Sequence, residues 1–193
     1  EGLSIAGYLP RAIAHDVLVH LNECPTPKTI ATSSPRRREQ VAKLFPDSKW
    51  KTIRGNVGTR LRKITEIECE ATVLAAAGLY RLGIKSYKGL AFRNFELDEV
   101  VPAPGQGAIA IQCRTSEISK YSNFFCTNTQ LAVEIEKGFL KRLGSGCQIP
   151  IGAHYQNGSF RIFHPKTGYR IFKLNLRKRE EVDTTLDRLM AEL

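Results

Sequence analysis

Between residues 13 and 98, short apolar runs alternate with stretches of helical spacing, the order expected of a sheet covered by helices. Residues 29–31 read as a strand and residues 35–45 as a helix whose apolar stripe is Val41, Leu44 and Phe45. Ser34 is placed to cap that helix, and Pro35 suits its first position because it has no N–H to lose there. A second unit runs from a strand at residues 50–53 through a tight turn, Arg54-Gly55-Asn56-Val57-Gly58, into a helix beginning at Thr59. A third places a buried strand at residues 71–75 and a helix after it, with Gly83 as its C-terminal cap.

The pattern then changes. Residues 96–106 turn acidic and then rich in proline and glycine (Pro102, Pro104, Gly105), which reads as an interdomain crossover leading into a strand at 108–113. Leu131, Ile135, Phe139 and Leu143 carry helical spacing over residues 130–143, and Gly144-Ser145-Gly146-Cys147 ends that helix in a loop. Three strands are expected around residues 151–155, 160–164 and 169–174, followed by a short helix at 184–193. The opening residues 3–7 look like a strand without neighbours, so the chain is expected to continue a longer protein.

Composition narrows the classes. The 193 residues are 42% hydrophobic and 25% charged, as in ordinary globular proteins, and carry no apolar run long enough for a membrane-spanning helix. Five cysteines, Cys24, Cys69, Cys113, Cys126 and Cys147, form no CxxC pair and no zinc-ligand spacing, which favours a reducing compartment and no metal. His15, His20, His154 and His164 are scattered and read as surface or satisfied side chains. The net charge of +10 implies attraction to anions without choosing among nucleic acid, acidic lipid and polycarboxylate.

Placement of the basic residues is more selective. Arg36 and Arg37 fall at the first strand-to-helix junction, Arg54 and Arg60 at the second, and Arg81 just beyond the third. Ligands of open α/β sheets bind outside the carboxyl ends of strands, where helix N-termini also favour anions. A single cationic cleft is therefore expected. Arginine suits carboxylates because its planar fork donates two parallel hydrogen bonds and stays charged. Arg38, Arg62 and Lys63 lack this strand-end placement and read as a solvated face.

Five segments carry a family resemblance. Thr32-Ser33-Ser34-Pro35-Arg36-Arg37, Arg54-Gly55-Asn56-Val57-Gly58-Thr59-Arg60-Leu61, Ala77-Gly78-Leu79-Tyr80-Arg81-Leu82-Gly83, Pro102-Ala103-Pro104-Gly105-Gln106-Gly107-Ala108 and Gly146-Cys147-Gln148-Ile149-Pro150-Ile151-Gly152 resemble, in this order, successive signatures of the porphobilinogen deaminase family. The resemblance covers nearly the whole chain. It implies two periplasmic-binding-protein-like α/β domains flanking a cleft, plus a small α+β C-terminal domain with a three-stranded antiparallel sheet. Residues 1–12 would end domain 1, 13–98 form domain 2, 99–128 make the crossover and return into domain 1, and 129–193 form domain 3.

It also implies chemistry. The family is a transferase, hydroxymethylbilane synthase, which condenses four porphobilinogen molecules with loss of ammonia and releases hydroxymethylbilane by hydrolysis, in tetrapyrrole biosynthesis. By resemblance, Cys147 carries the dipyrromethane cofactor through a thioether. Arg36, Arg37, Arg54, Arg60 and Arg81 bind acetate and propionate groups, with Thr32, Ser33 and Gly55 as hydroxyl and backbone contacts. The cation-stabilising aspartate of the family follows a lysine in the first domain and would precede Glu1, so this chain alone is expected to be inactive. Lys137 stands where an arginine is usual, offering a point charge in place of a fork. The resemblance further implies a cytoplasmic or plastid-type protein, monomeric when complete, that acts on porphobilinogen and on neither nucleic acid nor membrane. The competing reading is a non-catalytic anion- or nucleic-acid-binding module. The latter calls for aromatic platforms among the basic residues, where only Trp50 and Tyr80 occur.

Overall fold

The computed structural model describes residues 2–66, 69–121, 124–144, 149–174, 176 and 180–191. Its largest sheet has five strands in the order β4-β3-β5-β2-β6, built from β2 (Asp16–Leu21), β3 (Thr29–Ala31), β4 (Lys49–Lys51), β5 (Ala71–Ala75) and β6 (Leu90–Asn94). β3 runs parallel to β4 and β5, whereas β2 is antiparallel to β5 and β6. The sheet is thus mixed rather than a simple series of βαβ units.

Helices cover both faces because the strands are apolar on both sides. Val17 and Val19 of β2 face a core shared with Leu61 and Ile64 of α2 (Val57–Thr65) and Leu79 of α3 (Ala76–Arg81). Leu18, between them, faces the opposite core with Val41 and Phe45, at the end of α1 (Pro35–Leu44). Ser34 caps α1 through its side chain with Pro35 at the first position, as the sequence predicts. Two expected boundaries move. α2 starts at Val57 rather than Thr59 because Asn56 Oδ1 accepts from Thr59 N at 2.8 Å and caps the helix earlier. The expected strand at 50–53 is displaced to Lys49–Lys51, leaving Ile53 to enter the core as a loop residue.

β1 (Leu3–Tyr8) pairs antiparallel with β7 (Ala110–Arg114) in a two-stranded sheet, and a 3-10 turn, Thr115–Lys120, follows β7. The last region packs α4 (Thr127–Arg142) and α5 (Glu181–Ala191) on an antiparallel sheet of β8 (Gly152–Gln156), β9 (Ser159–His164) and β10 (Gly168–Lys173). Phe139 of α4 meets Phe160 of β9 edge to face, with ring centroids 5.4 Å apart. The expected three-stranded sheet is therefore present beside the α/β layer.

The crossover is gripped from both sides. On α1, Gln40 Nε2 donates to Val101 O and Gln40 Oε1 accepts from Val101 N, at 3.0 and 2.8 Å. From β8, Ala153 N donates to Pro102 O. A Cβ on Gly152 would lie 2.7 Å from Val101 O, so the glycine permits this approach.

Candidate functional site

The first junction is tied down before any ligand is considered. Thr32 is buried; its N–H donates to Lys51 O, and its Oγ1 accepts from Ser34 N at 3.2 Å. Ser33 Oγ donates to Ile53 O at 2.6 Å. These bonds hold the turn into α1 against the end of β4, and Arg36 and Arg37 follow on the first turn of the helix.

Both arginines converge on Asp16, which is fully buried at the start of β2. Arg37 Nε donates to Asp16 Oδ1 at 3.0 Å, its Nη2 lies 2.9 Å from the same oxygen, and its Nη1 donates to Val73 O. Arg36 Nη2 lies 2.8 Å from Asp16 Oδ2, an ion pair without hydrogen-bond alignment. Arg36 Nη1 donates to Val101 O at 2.6 Å and Nη2 to Gln106 Oε1 at 3.3 Å. Gln106 Nε2 completes the cluster with bonds to Ala14 O and Asp16 Oδ1. Burial pushes the Asp16 carboxyl up, but the neighbouring charges of Arg36 and Arg37 and the hydrogen bond from Gln106 outweigh it and hold the group below the usual carboxylate range. Burial pulls the Arg36 guanidinium down, opposed by Asp16.

At the second junction Gly55 has φ +121°, and a Cβ there would meet Thr59 Cγ2 at 2.7 Å, so the turn requires glycine. Its carbonyl accepts from Arg60 Nε at 2.8 Å. Burial lowers the Arg60 pKa, and the charge of Arg37 lowers it further. Arg54 is exposed. Arg81, also exposed, donates from Nη2 to Gly107 O at 2.8 Å, next to Gln106. The structure thus gathers Arg36 and Arg37 on Asp16, holds Arg60 against the Gly55 turn, sets Arg81 over the crossover, and leaves Arg54 exposed. Arg38 and Arg62 face solvent, and Arg62 pairs with Glu66.

A cavity of about 570 Å³ opens beside α1. Ser34, Pro35 and Arg36 form one wall, Ala103 and Pro104 of the crossover the next, and Lys137, Leu140 and Lys141 of α4 the third. Ile149 and Ile151 close it. Cys147 lies outside the described residues, two positions before Ile149. This lining fits a carboxylated dipyrrole: Leu140, Ile149 and Ile151 offer apolar contact to flat rings, while Arg36, Lys137, Lys141 and the α1 N-terminus favour carboxylates.

Five residues that the sequence did not single out as site residues shape the region. Asp16 and Gln106 hold the arginines. Arg11 pairs with Glu136 of α4 through Nη1 and Nη2 at 2.6 and 3.0 Å. His154, expected to be a surface or satisfied side chain, is buried with Nδ1 3.4 Å from Glu136 Oε1. A carboxylate at the head of an apolar strand, Asp16 before Val17-Leu18-Val19, was the available signal.

Fold and site together define an α/β protein with arginines gathered at its strand-to-helix junctions. The family model described as porphobilinogen deaminase, dipyromethane cofactor binding domain, matches residues 1–120, and that of the porphobilinogen deaminase C-terminal domain matches residues 130–162. The chain belongs to the porphobilinogen deaminase family. It is 41% identical over 167 residues to a porphobilinogen deaminase of Nitrobacter winogradskyi, covering 82% of this chain and 52% of the relative. Those of Coxiella burnetii and Brevibacillus brevis are 39% identical over 169 residues and 38% over 162, covering 83% and 80% of this chain and 54% and 52% of the relatives. The chain spans about half the length of the curated relatives it matches. Among solved structures, the substrate-binding protein AbpA of Streptococcus pneumoniae overlaps 71% of this chain and 56% of its own, with TM-score 0.38 and 14% identity, too slight a likeness to carry an argument.

Proposed function

We propose that the protein to which this chain belongs is a hydroxymethylbilane synthase, and that this chain supplies its carboxylate-binding surface and cofactor anchor. The observation that carries the reading is the cavity walled by the α1 N-terminus, Arg36, Lys137 and Lys141, which reaches to within two residues of Cys147. Cys147 is the attachment point of the dipyrromethane, which when bound supplies the nucleophilic ring carbon on which the tetrapyrrole grows. Arg36, Arg37, Arg54, Arg60 and Arg81 hold the acetate and propionate groups of substrate and growing product, each through charge-assisted hydrogen bonds. Thr32, Ser33 and Gly55 shape the turns that aim them. Residues 13–98 act as the carboxylate-binding domain, 99–128 as the crossover and return, and 129–193 as the cofactor-bearing domain. The complete protein acts as a cytoplasmic monomer on porphobilinogen, without nucleic-acid or membrane partners. Among the described residues no helix is long and apolar enough to cross a membrane.

Intact mass after incubation with porphobilinogen tests this. A mass excess matching two pyrrole units, a colour with Ehrlich's reagent, and loss of both in Cys147→Ala are expected. An adduct that survives Cys147→Ala would move the anchor to Cys24, Cys69, Cys113 or Cys126 and overturn the assignment.

A further inference from the structure

We infer that Asp16 is a positioning residue: it fixes the guanidinium groups of Arg36 and Arg37 in the orientation that presents them to substrate carboxylates, and through Gln106 it ties that orientation to the crossover. The inference rests on the carboxylate-binding reading of α1 and adds a residue to it.

Three features support the role. First, one buried carboxylate faces both arginines. Asp16 is 0% exposed, and its Oδ1 accepts from Arg37 Nε and Gln106 Nε2 while Oδ2 pairs with Arg36. Two adjacent guanidinium groups repel each other, so in the absence of a shared anion they would turn apart. Second, Arg37 is held at each of its three nitrogens by one contact, Nε and Nη2 by Asp16 Oδ1 and Nη1 by Val73 O. A guanidinium has five N–H groups, so these contacts orient the fork without exhausting its donors. Arg36 is likewise held at its tip by Val101 O, Gln106 and Asp16, yet it lines the cavity beside α1. Third, the cluster joins three separate segments. Asp16 opens β2, the arginines begin α1, and Gln106 sits in the crossover, where it also holds Ala14 O. A displacement of the crossover would be felt at the arginine tips through one side chain.

Arginine side-chain NMR of the 15N-labelled chain reads the positioning directly. In the wild type the Arg37 Nε–H signal should be shielded from solvent exchange. Addition of porphobilinogen should shift the Nη signals of Arg36 and Arg37 while Arg37 Nε–H keeps its position. In Asp16→Asn, which preserves shape but removes the charge, the Nε–H protection should be lost. Affinity for porphobilinogen should fall about tenfold or more, as expected when aligned charge-assisted bonds lose their geometry. The wild-type measurement decides the matter even where Asp16→Asn fails to fold. A freely exchanging Arg37 Nε–H, or an Nε–H signal that moves to the ligand on titration, would overturn the role of Asp16. A protected Nε–H with no Nη response to porphobilinogen would instead overturn the carboxylate-binding reading, and with it the purpose assigned to Asp16. Unchanged Nε–H protection and affinity in a folded Asp16→Asn would also sink the inference.

Discussion

Asp16 and Glu136 are both fully buried, both paired with arginine and both held below the usual carboxylate range, yet their surroundings differ in one respect. Glu136 receives two donors on each oxygen: Arg11 Nη1 and Tyr155 N on Oε1, Arg11 Nη2 and Gly105 N on Oε2. Its arginine is further spent on Gln106 O through Nε. The result is a closed clasp joining α4, β8, the crossover and the segment after β1. Asp16 faces two arginines rather than one, and Arg36 borders a cavity. A saturated carboxylate holds a fold together, whereas one shared between two cations can also aim them.

The sharpest way to break this contrast is to remove the clasp. Glu136→Ala leaves Arg11 without its buried partner and strips the Gly105 and Tyr155 N–H groups of their acceptor. Loss of one member of a buried pair typically costs about 3–5 kcal/mol, so urea unfolding should show a drop of that order. A loss below about 1 kcal/mol would mean that water or rearrangement satisfies these groups and that the clasp is not structural.

Acid should reveal both carboxylates at once. Burial raises the Glu136 pKa, but the neighbouring His154 and the hydrogen bonds and charge of Arg11 outweigh it, so the net shift is downward, as at Asp16. For a carboxyl whose folded pKa is depressed, the unfolded chain binds protons first as pH falls. The stability contributed is complete above the unfolded values of about 4 and is lost below them as pH approaches the folded values. Urea midpoints should therefore decline most steeply below about pH 5, with only a shallow slope above it from His164, whose pKa burial lowers. Glu136→Ala should flatten that decline only in part, because Asp16 still contributes. A decline that vanishes entirely in Glu136→Ala would show that Asp16 titrates as it does in the unfolded chain.

The contrast also explains what was legible in the sequence. Local signals were: Ser34-Pro35 announces α1, and the apolar run at 71–75 announces β5, because cap and strand chemistry are written in neighbouring residues. The arginines were visible by their place at strand ends. β2 and β6 were not assigned, since their identity depends on pairing with each other and with β5, across long loops. Asp16 escaped for the same reason: its partners Arg36, Arg37 and Gln106 are 20, 21 and 90 positions away, and only the topology brings them together. Glu136 reads as one more acidic residue on a helix until Arg11, 125 positions earlier, is seen against it. The start of α2 was missed more narrowly, because Asn56 was read as part of a turn when it is also the cap.

The smallest expected effect on stability belongs to the arginines that no buried carboxylate holds. Among the described residues, Arg60 bonds to the Gly55 carbonyl within its own turn, and Arg54 is exposed. Their removal opens no cavity and orphans no buried acid, so Arg54→Leu and Arg60→Leu should change unfolding free energy by no more than about 0.5 kcal/mol. Their effect on ligand should be of a different size. Loss of a charge-assisted contact to a carboxylate costs about 1.5–3 kcal/mol, which means a fall in porphobilinogen affinity of about tenfold or more. The two measurements together separate binding residues from structural ones. Were Arg60→Leu to destabilise the chain as much as Glu136→Ala while leaving affinity intact, the division between clasp and cleft would have been drawn through the wrong arginines.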